Sequence, residues 1–291
     1  MIQHFKKQML RIAVQKSGRL QEESLQILKE CGLKVDASNG KLKSVVPNFP
    51  LEVLFLRNSD IPQYVEDGVV DIAIIGENLL IEEESKLEMM LPLGFSKCRV
   101  SLAVPKNSDI QSVKDFEGKK IATSYPKTVQ NYLSKNGVKA EIHTISGSVE
   151  VAPTIGLADG ICDIVSSGNT LFMNGLRELE VILKSEAVLV KNSKLSAEKN
   201  EILEKLIFRM KAVLSSRNSK YILLNAPNEA IAEISRILPG MKSPTVLPLA
   251  EAGWSSLHSV ISEDQFWEKI DALKNAGAEG ILIVPIEKMV L

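Results

Sequence analysis

Near-continuous apolar runs separated by stretches of helical periodicity limit what this chain can fold into. LEVLFLR (51–57) and VDIAIIG (70–76) read as strands covered on both faces, and SDIPQYVEDG between them reads as a capped helix with Pro62 in its first turn. RIAVQ (11–15) is a further strand, followed by an amphipathic stretch with Leu20, Ser24, Ile27, Leu28 and Cys31 on one face and closed by Gly32. Strands buried on both faces need helices above and below them, so the order predicts an α/β architecture.

A second set follows: RVSLAVP (99–105), KKIATS (119–124), AEIHTIS (140–146) and ICDIVSS (161–167), separated by helices such as PKTVQNYLSKNG (126–137). It predicts a second parallel sheet. VILKSEAVLV (181–190) is long and apolar enough to leave that unit and return to the first sheet, so the first domain is expected to be discontinuous and the two lobes to enclose a hinged cleft. The helix SAEKNEILEKLIFRMKAVLSSR (196–217) carries Ile202, Leu206, Met210 and Val213 at helical spacing. After it the pattern becomes βαββαβ, a ferredoxin-like unit with its own small core. The expected domains are 9–98 plus 184–217, then 99–183, then 218–291.

Charge and composition exclude several classes of function. Lys and Arg number 35 against 36 Asp and Glu, a formal charge of −1, so no global basic field holds nucleic acid. Cys31, Cys98 and Cys162 are widely spaced without a CxxC, which argues for a reducing compartment and against both a disulfide framework and structural zinc. The apolar run behind the basic opening MIQHFKKQ is too short for a secretory signal and is broken by Arg11. No run is long enough to span a membrane. The expected compartment is the cytoplasm, with residues 1 to 8 a frayed extension.

The chemistry concentrates in SGSVEVAPTIGLADGICDIVSSGNTL (146–171). Ser166, Ser167, Gly168, Asn169 and Thr170 follow a buried strand at its carboxyl end, where α/β sheets bind ligands. A small-residue turn entering a helix aims N–H groups and hydroxyls at one point, which suits phosphate; the plain alternative is a strand-turn-helix with a Ser/Thr cap. Asp163 suits ribose hydroxyls or a metal. Glu150 starts another helix, where it is placed for a ligand or simply favours the helix dipole. Lys16 and Arg19 in the KSGR turn, Arg57 and Arg99 at strand ends, and Gly76 and Glu77 at the end of VDIAIIGE all stand where an anionic or ribosyl ligand is met; a solvated turn or an ion pair is the alternative for the basic ones. Tyr125, in ATSYP on the second lobe's cleft edge, is placed to stack on a base.

MLRIAVQKSGRL, DGVVDIAIIGEN, KKIATSYP, GSVEVAPTIGLADGICDIVSSGNTL, NGLRELEVI and ILIVPIEKM together resemble the long, self-regulated form of ATP phosphoribosyltransferase, the first enzyme of histidine biosynthesis, over about residues 9–291. The resemblance implies a two-lobed type II periplasmic-binding-protein-like catalytic unit with a C-terminal ACT-like domain. It implies condensation of ATP with phosphoribosyl pyrophosphate, releasing pyrophosphate. It further implies Mg²⁺, held mainly by substrate phosphates with Asp163 as a candidate ligand, histidine as feedback inhibitor with AMP as a second candidate, and a dimer-to-hexamer homo-oligomer. On this reading Glu150, Asp163 and Ser166 to Thr170 bind phosphoribosyl pyrophosphate. Lys16, Arg19, Arg57, Gly76, Glu77 and Tyr125 bind ATP, and the region Ser243 to Ser259 takes histidine. Asn169 stands where relatives often carry another residue. Two rival readings share the layout: a solute-binding protein, which usually needs export, and a prephenate dehydratase, which would carry a Thr-Arg-Phe segment that this sequence lacks.

Overall fold

A computed structural model describes residues 9–38 and 40–290; the extension 1–8 lies outside the described residues. The chain forms two compact units that divide at Glu204 and Lys205, inside the helix Ala197–Ser216. The sequence-based boundary stands instead at that helix's C-terminal end, and both catalytic lobes fall within the first unit.

The first lobe's sheet runs, edge to edge, Lys43–Val45, Leu51–Leu56, Leu10–Gln15, Ile72–Gly76, Ala187–Lys191 and Glu88–Pro92. Its centre is parallel, with Leu10 to Gln15 in register with Leu51 to Leu56 on one side and Ile12 with Ile72 on the other. The remaining strands pair antiparallel, so the sheet is mixed rather than wholly parallel. Ala13, Ile61, Val65, Val70, Ile75 and Val190 share a core beneath the helix Ile61–Glu66.

The second sheet, expected to be parallel, is also mixed. Lys120–Thr123 pairs parallel with Glu141–Thr144 and Gly160–Val165, whereas Cys98–Pro105 runs antiparallel to Gly160–Val165 and Leu176–Ser185 runs antiparallel to Cys98–Pro105. Alternate residues feed different cores: Leu102, Val104, Ile121 and Cys162 pack with Phe116 and Leu133, while Ala103, Ala122 and Ile161 pack with Val149, Ala152 and Leu171. Burial on both faces is why Val100, Leu102, Ala103 and Val104 and, beside them, Ile161 and Cys162 are apolar without alternation.

VILKSEAVLV is two strands, not the single returning strand expected. Leu176–Ser185 stays in the second sheet and Ala187–Lys191 enters the first, with Glu186 between them. The outbound connection runs from Leu93 to Lys97, and its backbone pairs with the return: Leu93 N–H donates to Ala187 O and Ala187 N–H to Phe95 O, both at 2.9 Å. Two antiparallel segments pinned together thus join the lobes.

The second unit contains the predicted βαββαβ, with an antiparallel sheet in the order Thr245–Pro248, Trp254–Ser262, Ser219–Pro227 and Glu279–Pro285. Ile222, Leu224, Leu257 and Ile261 bury one face against Ile234, Leu238 and Leu273. Tyr221, Leu282 and Val284 on the other face are exposed.

Gly160, which opens the strand leading to the SSGNT turn, has no room for a side chain: a Cβ there would lie 2.7 Å from the Phe116 ring and 3.0 Å from Ala103 O. Gly160→Ala is expected to lower unfolding stability by about 1–3 kcal/mol through overpacking. Denaturant melts check this, and an unchanged midpoint would contradict the packing described.

Candidate functional site

The carboxyl ends of the central strands of both lobes carry the polar residues. After Gly160–Val165 the chain turns through Ser166, Ser167 and Gly168, the last at φ +86°, a left-handed conformation that a side chain would strain. The helix that follows, Asn169–Met173, is only five residues long. It lacks the aligned peptide dipoles of a long helix, so attraction for an anion falls to individual N–H groups and to the hydroxyls of Ser166, Ser167 and Thr170. Glu150, Asp163, Ser166, Ser167, Gly168 and Thr170 line one pocket of about 130 Å³. Asn169 points its backbone N–H at Ser167 Oγ (3.4 Å) and does not line this pocket.

Asp163 is half-buried. Burial raises its carboxyl above the ordinary range, and the charge of nearby Glu150 adds to the rise; an N–H bond from Ile164 (2.8 Å) opposes it. Among the described residues no group of three or more His, Cys, Asp or Glu could form a metal cage. Asp163 and Glu150 both line this pocket, and one or two carboxylates of this kind, completed by phosphate oxygens and water, are a donor set that Mg²⁺ would accept.

The facing lobe reaches this loop directly. Arg19, at the start of the helix Arg19–Glu30 behind the KSGR turn, donates from Nη1 to Ser166 Oγ at 2.8 Å and from Nη2 to Lys97 O at 3.1 Å. Gly18 makes the turn possible at φ +89°. Arg99 grips the same loop from the second lobe: Nη1 donates to Ser166 O at 3.0 Å, while Nε and Nη2 form a two-pronged pair with Glu178 at 2.5 and 2.7 Å. Ser101 Oγ also donates to Glu178, at 2.6 Å. Beside this network lies a cavity of about 520 Å³ lined by Glu77, Lys97, Cys98, Arg99, Ser166, Lys184, Ser185 and Glu186. Glu77 and Ser166, from opposite lobes, thus face one space.

Of the remaining predicted residues, Gly76 ends its strand and caps the helix Glu77–Glu83, where a Cβ would collide with Asn78 Oδ1. Lys16 and Arg57 are exposed at the carboxyl ends of two paired strands, joined by Lys16 N–H to Leu56 O at 2.8 Å, but line neither cavity. Tyr125 is partly buried. It packs on the second lobe's core, and its hydroxyl accepts from Asn78 Nδ2 at 3.3 Å. Burial, then the charge of Asp163, pushes its phenol far up, so it stays neutral. Asp71, which reads as a structural cap, takes Arg11 N–H at 2.8 Å and pairs with Lys199 at 2.8 Å.

Sequence reasoning missed Glu178, Lys184, Ser185 and Glu186, because register shifts between Glu178 and Glu180 and between Val181 and Leu183 break the strand alternation that would have extended Leu176–Ser185 backwards. It also missed Asn78, whose buried amide bridges Ser185 and Tyr125.

A family model described as ATP phosphoribosyltransferase matches residues 57–212, and one described as HisG, C-terminal domain, matches residues 216–288. An ATP phosphoribosyltransferase from Cytophaga hutchinsonii is 58% identical over 97% of this chain and 98% of its own length. One from Bacteroides thetaiotaomicron is 56% identical over 97% of this chain and 100% of its own. Among solved structures, the ATP phosphoribosyl transferase (HisG:HisZ) complex from Thermotoga maritima matches with a TM-score of 0.61 and 30% identity, covering 69% of this chain and 96% of that one.

The Arg99 pair holds the Glu178 carboxyl below its ordinary range, and Glu178 raises the guanidinium in turn. A lowered acid contributes stability that is present above its unfolded pKa and lost as pH falls through its folded pKa. Glu178→Gln is expected to cost about 1–2 kcal/mol at neutral pH, with the deficit closing below the usual carboxylate range. Denaturant melts at neutral and acid pH check it; a deficit independent of pH would contradict the pairing.

Proposed function

The chain belongs to the ATP phosphoribosyltransferase family, transferases acting on a ribose phosphate, and we propose that its two substrates meet between the lobes, phosphoribosyl pyrophosphate on the SSGNT loop and ATP on the first lobe. The observation that carries this reading is the Arg19 to Ser166 bond, which brings the KSGR turn and the SSGNT loop together beside a cavity lined from both lobes. Neither rival reading accounts for a match to this family along nearly the whole chain.

On this reading the 5-phosphate takes the N–H groups and hydroxyls of Ser166 to Thr170, and Asp163 faces the ribose with Glu150. Arg19 and Lys97 stand toward the anionic pyrophosphate, with Glu77 accepting from the adenosine. Adenine N1 attacks the anomeric carbon with its own lone pair as the bond to pyrophosphate breaks, so forming the new bond needs no general base. Asp163 is the residue that would hold Mg²⁺, which supplies charge neutralisation at the departing pyrophosphate. The chain's contribution is to hold the two reacting atoms in line and to keep fixed dipoles around them.

Thr170→Ala removes one hydroxyl from an anion site, a loss of about 1.5–3 kcal/mol and hence roughly tenfold or more in the phosphoribosyl pyrophosphate constant, with ATP much less affected. Steady-state kinetics with each substrate varied separately checks this. An unchanged constant refutes the loop assignment.

The reading extends to the second unit as a site of feedback by histidine, with AMP as a further inhibitor to test, and to a homo-oligomer of dimers and hexamers in the cytoplasm. Two observations support it. His258 sits between Tyr221 and Ser256, with hydrogen bonds of 3.0 Å at each ring nitrogen. Exposed Tyr221, Leu282 and Val284 on the sheet's open face favour association through this unit. Ser255 lies on the helix-covered face and bonds Asn228 Oδ1 at 2.7 Å, so within one protomer it and His258 do not face one ligand. By linkage, an inhibitor that prefers one assembly state shifts the oligomer distribution and weakens substrate affinity reciprocally. Titration with histidine, following activity and mass together, is expected to move both, with His258→Ala blunting both. Purely substrate-competitive inhibition at constant mass overturns the proposal.

A further inference from the structure

We propose that Glu82 is a positioning residue that bolts the two lobes together at the cleft, fixing where the reacting ends meet; this rests on the two substrates meeting between the lobes. Glu82 sits in the first-lobe helix Glu77–Glu83 and is only 6% exposed. Its carboxylate crosses to the other lobe and takes the start of the helix Pro126–Asn136. Lys127 N–H donates to Oε1 at 3.0 Å, and Thr128 N–H and Oγ1 donate to Oε2 at 2.9 and 2.8 Å. That helix has no cap of its own, since Tyr125 at its N-cap makes no capping bond. A carboxylate at a helix N-terminus is favoured both by the orphan N–H groups and by the dipole, so the second lobe's helix is completed by a residue of the first.

The consequence lies one residue upstream on each side. Glu77–Glu83 starts immediately after Gly76, the end of a first-lobe strand, and Pro126–Asn136 starts immediately after Tyr125, which follows the second-lobe strand Lys120–Thr123. Asn78 adds a second crossing, from Nδ2 to the Tyr125 hydroxyl, and is itself held by Ser185 at the return connection. The exposed Lys127 to Glu84 contact, at 4.0 Å, lies at the limit of an ion pair. Glu82 thus sets the mutual placement of two strand ends while touching neither cavity.

The test is Glu82→Gln in the full chain, assayed well below its melting temperature. An amide keeps the size but turns an N–H₂ toward N–H donors, so one side of the bolt is lost. Most contacts to each substrate come from one lobe, with Arg19 crossing on a long, half-exposed side chain that can follow a small shift, so both KM values are expected to stay within about threefold, whereas kcat falls about tenfold or more because misplaced reactants lose rate steeply. Thr128→Val, which removes only the hydroxyl bond, is expected to lower kcat about threefold, and adding it to Glu82→Gln lowers kcat little further because the two act through one contact. A residue serving stability alone would lower the melting temperature and leave kcat intact. A kcat within twofold of the parent in Glu82→Gln overturns the proposal, and if that variant does not fold, an unchanged kcat in Thr128→Val does so. The lobe assignment is tested separately: it stands or falls on the Thr170→Ala constants, while the bolt is read in kcat whichever lobe holds which substrate.

Discussion

Everything in the first unit depends on the pairing of its two crossing segments. Leu93 to Lys97 and Glu186 to Ala187 could each be a flexible tether, but the bonds between Leu93, Phe95 and Ala187 make them a short antiparallel ribbon. A ribbon resists shear far better than two separate strands, so the sheets keep a fixed relation at the join. Arg99 and Lys97 on the outbound side and Lys184 and Ser185 on the return side line the same cavity as Glu77 and Ser166. The hinge and the floor of the site are thus built from the same residues.

That arrangement explains why the charges around the loop are perturbed. Asp163 and Tyr125 sit where the second lobe's sheet meets the cleft, and burial raises both. Arg99 and Glu178 lie on neighbouring antiparallel strands and satisfy each other, with Ser101 filling a further acceptor position on Glu178. A partly exposed pair of this kind adds little to stability by Coulomb attraction alone. Its geometric effect is larger, because a guanidinium held at two of its nitrogens by a carboxylate has its third, Nη1, fixed on Ser166 O.

How much of this was legible in the sequence follows from which residues face one environment. Strands covered on both faces, such as Ile72–Gly76 and Gly160–Val165, announce themselves as apolar runs, and the turns at their ends announce themselves by small and polar residues. Strand direction does not appear in composition: Cys98–Pro105 reads like a parallel strand because it is equally buried, yet it runs antiparallel. The split of 176–191 into two strands was hidden by the bulges and by a single intervening residue, Glu186. Ser166 to Thr170, Arg19 and Glu77 stood out as candidates because strand ends carry ligands in α/β sheets. Glu178 and Glu82 could not, since their partners lie 79 and about 45 positions away and a buried carboxylate in a helix looks like any solvated one.

The resting state of Arg19 also bears on how the cleft responds to an anion. Its guanidinium is half-exposed and spends its donors on a neutral hydroxyl and a neutral carbonyl, with Glu23 a loose 3.8 Å away. Hydrogen bonds to charged acceptors are roughly twice as strong as those to neutral ones. On the proposed placement of the substrate, a phosphate or pyrophosphate oxygen would outcompete Ser166 for Nη1, and the freed Ser166 hydroxyl, still anchored through its carbonyl by Arg99, would be able to turn toward the same ligand. On that placement the donors already stand in position on weak substitutes, so little reorganisation would be required when the substrate exchanges for them.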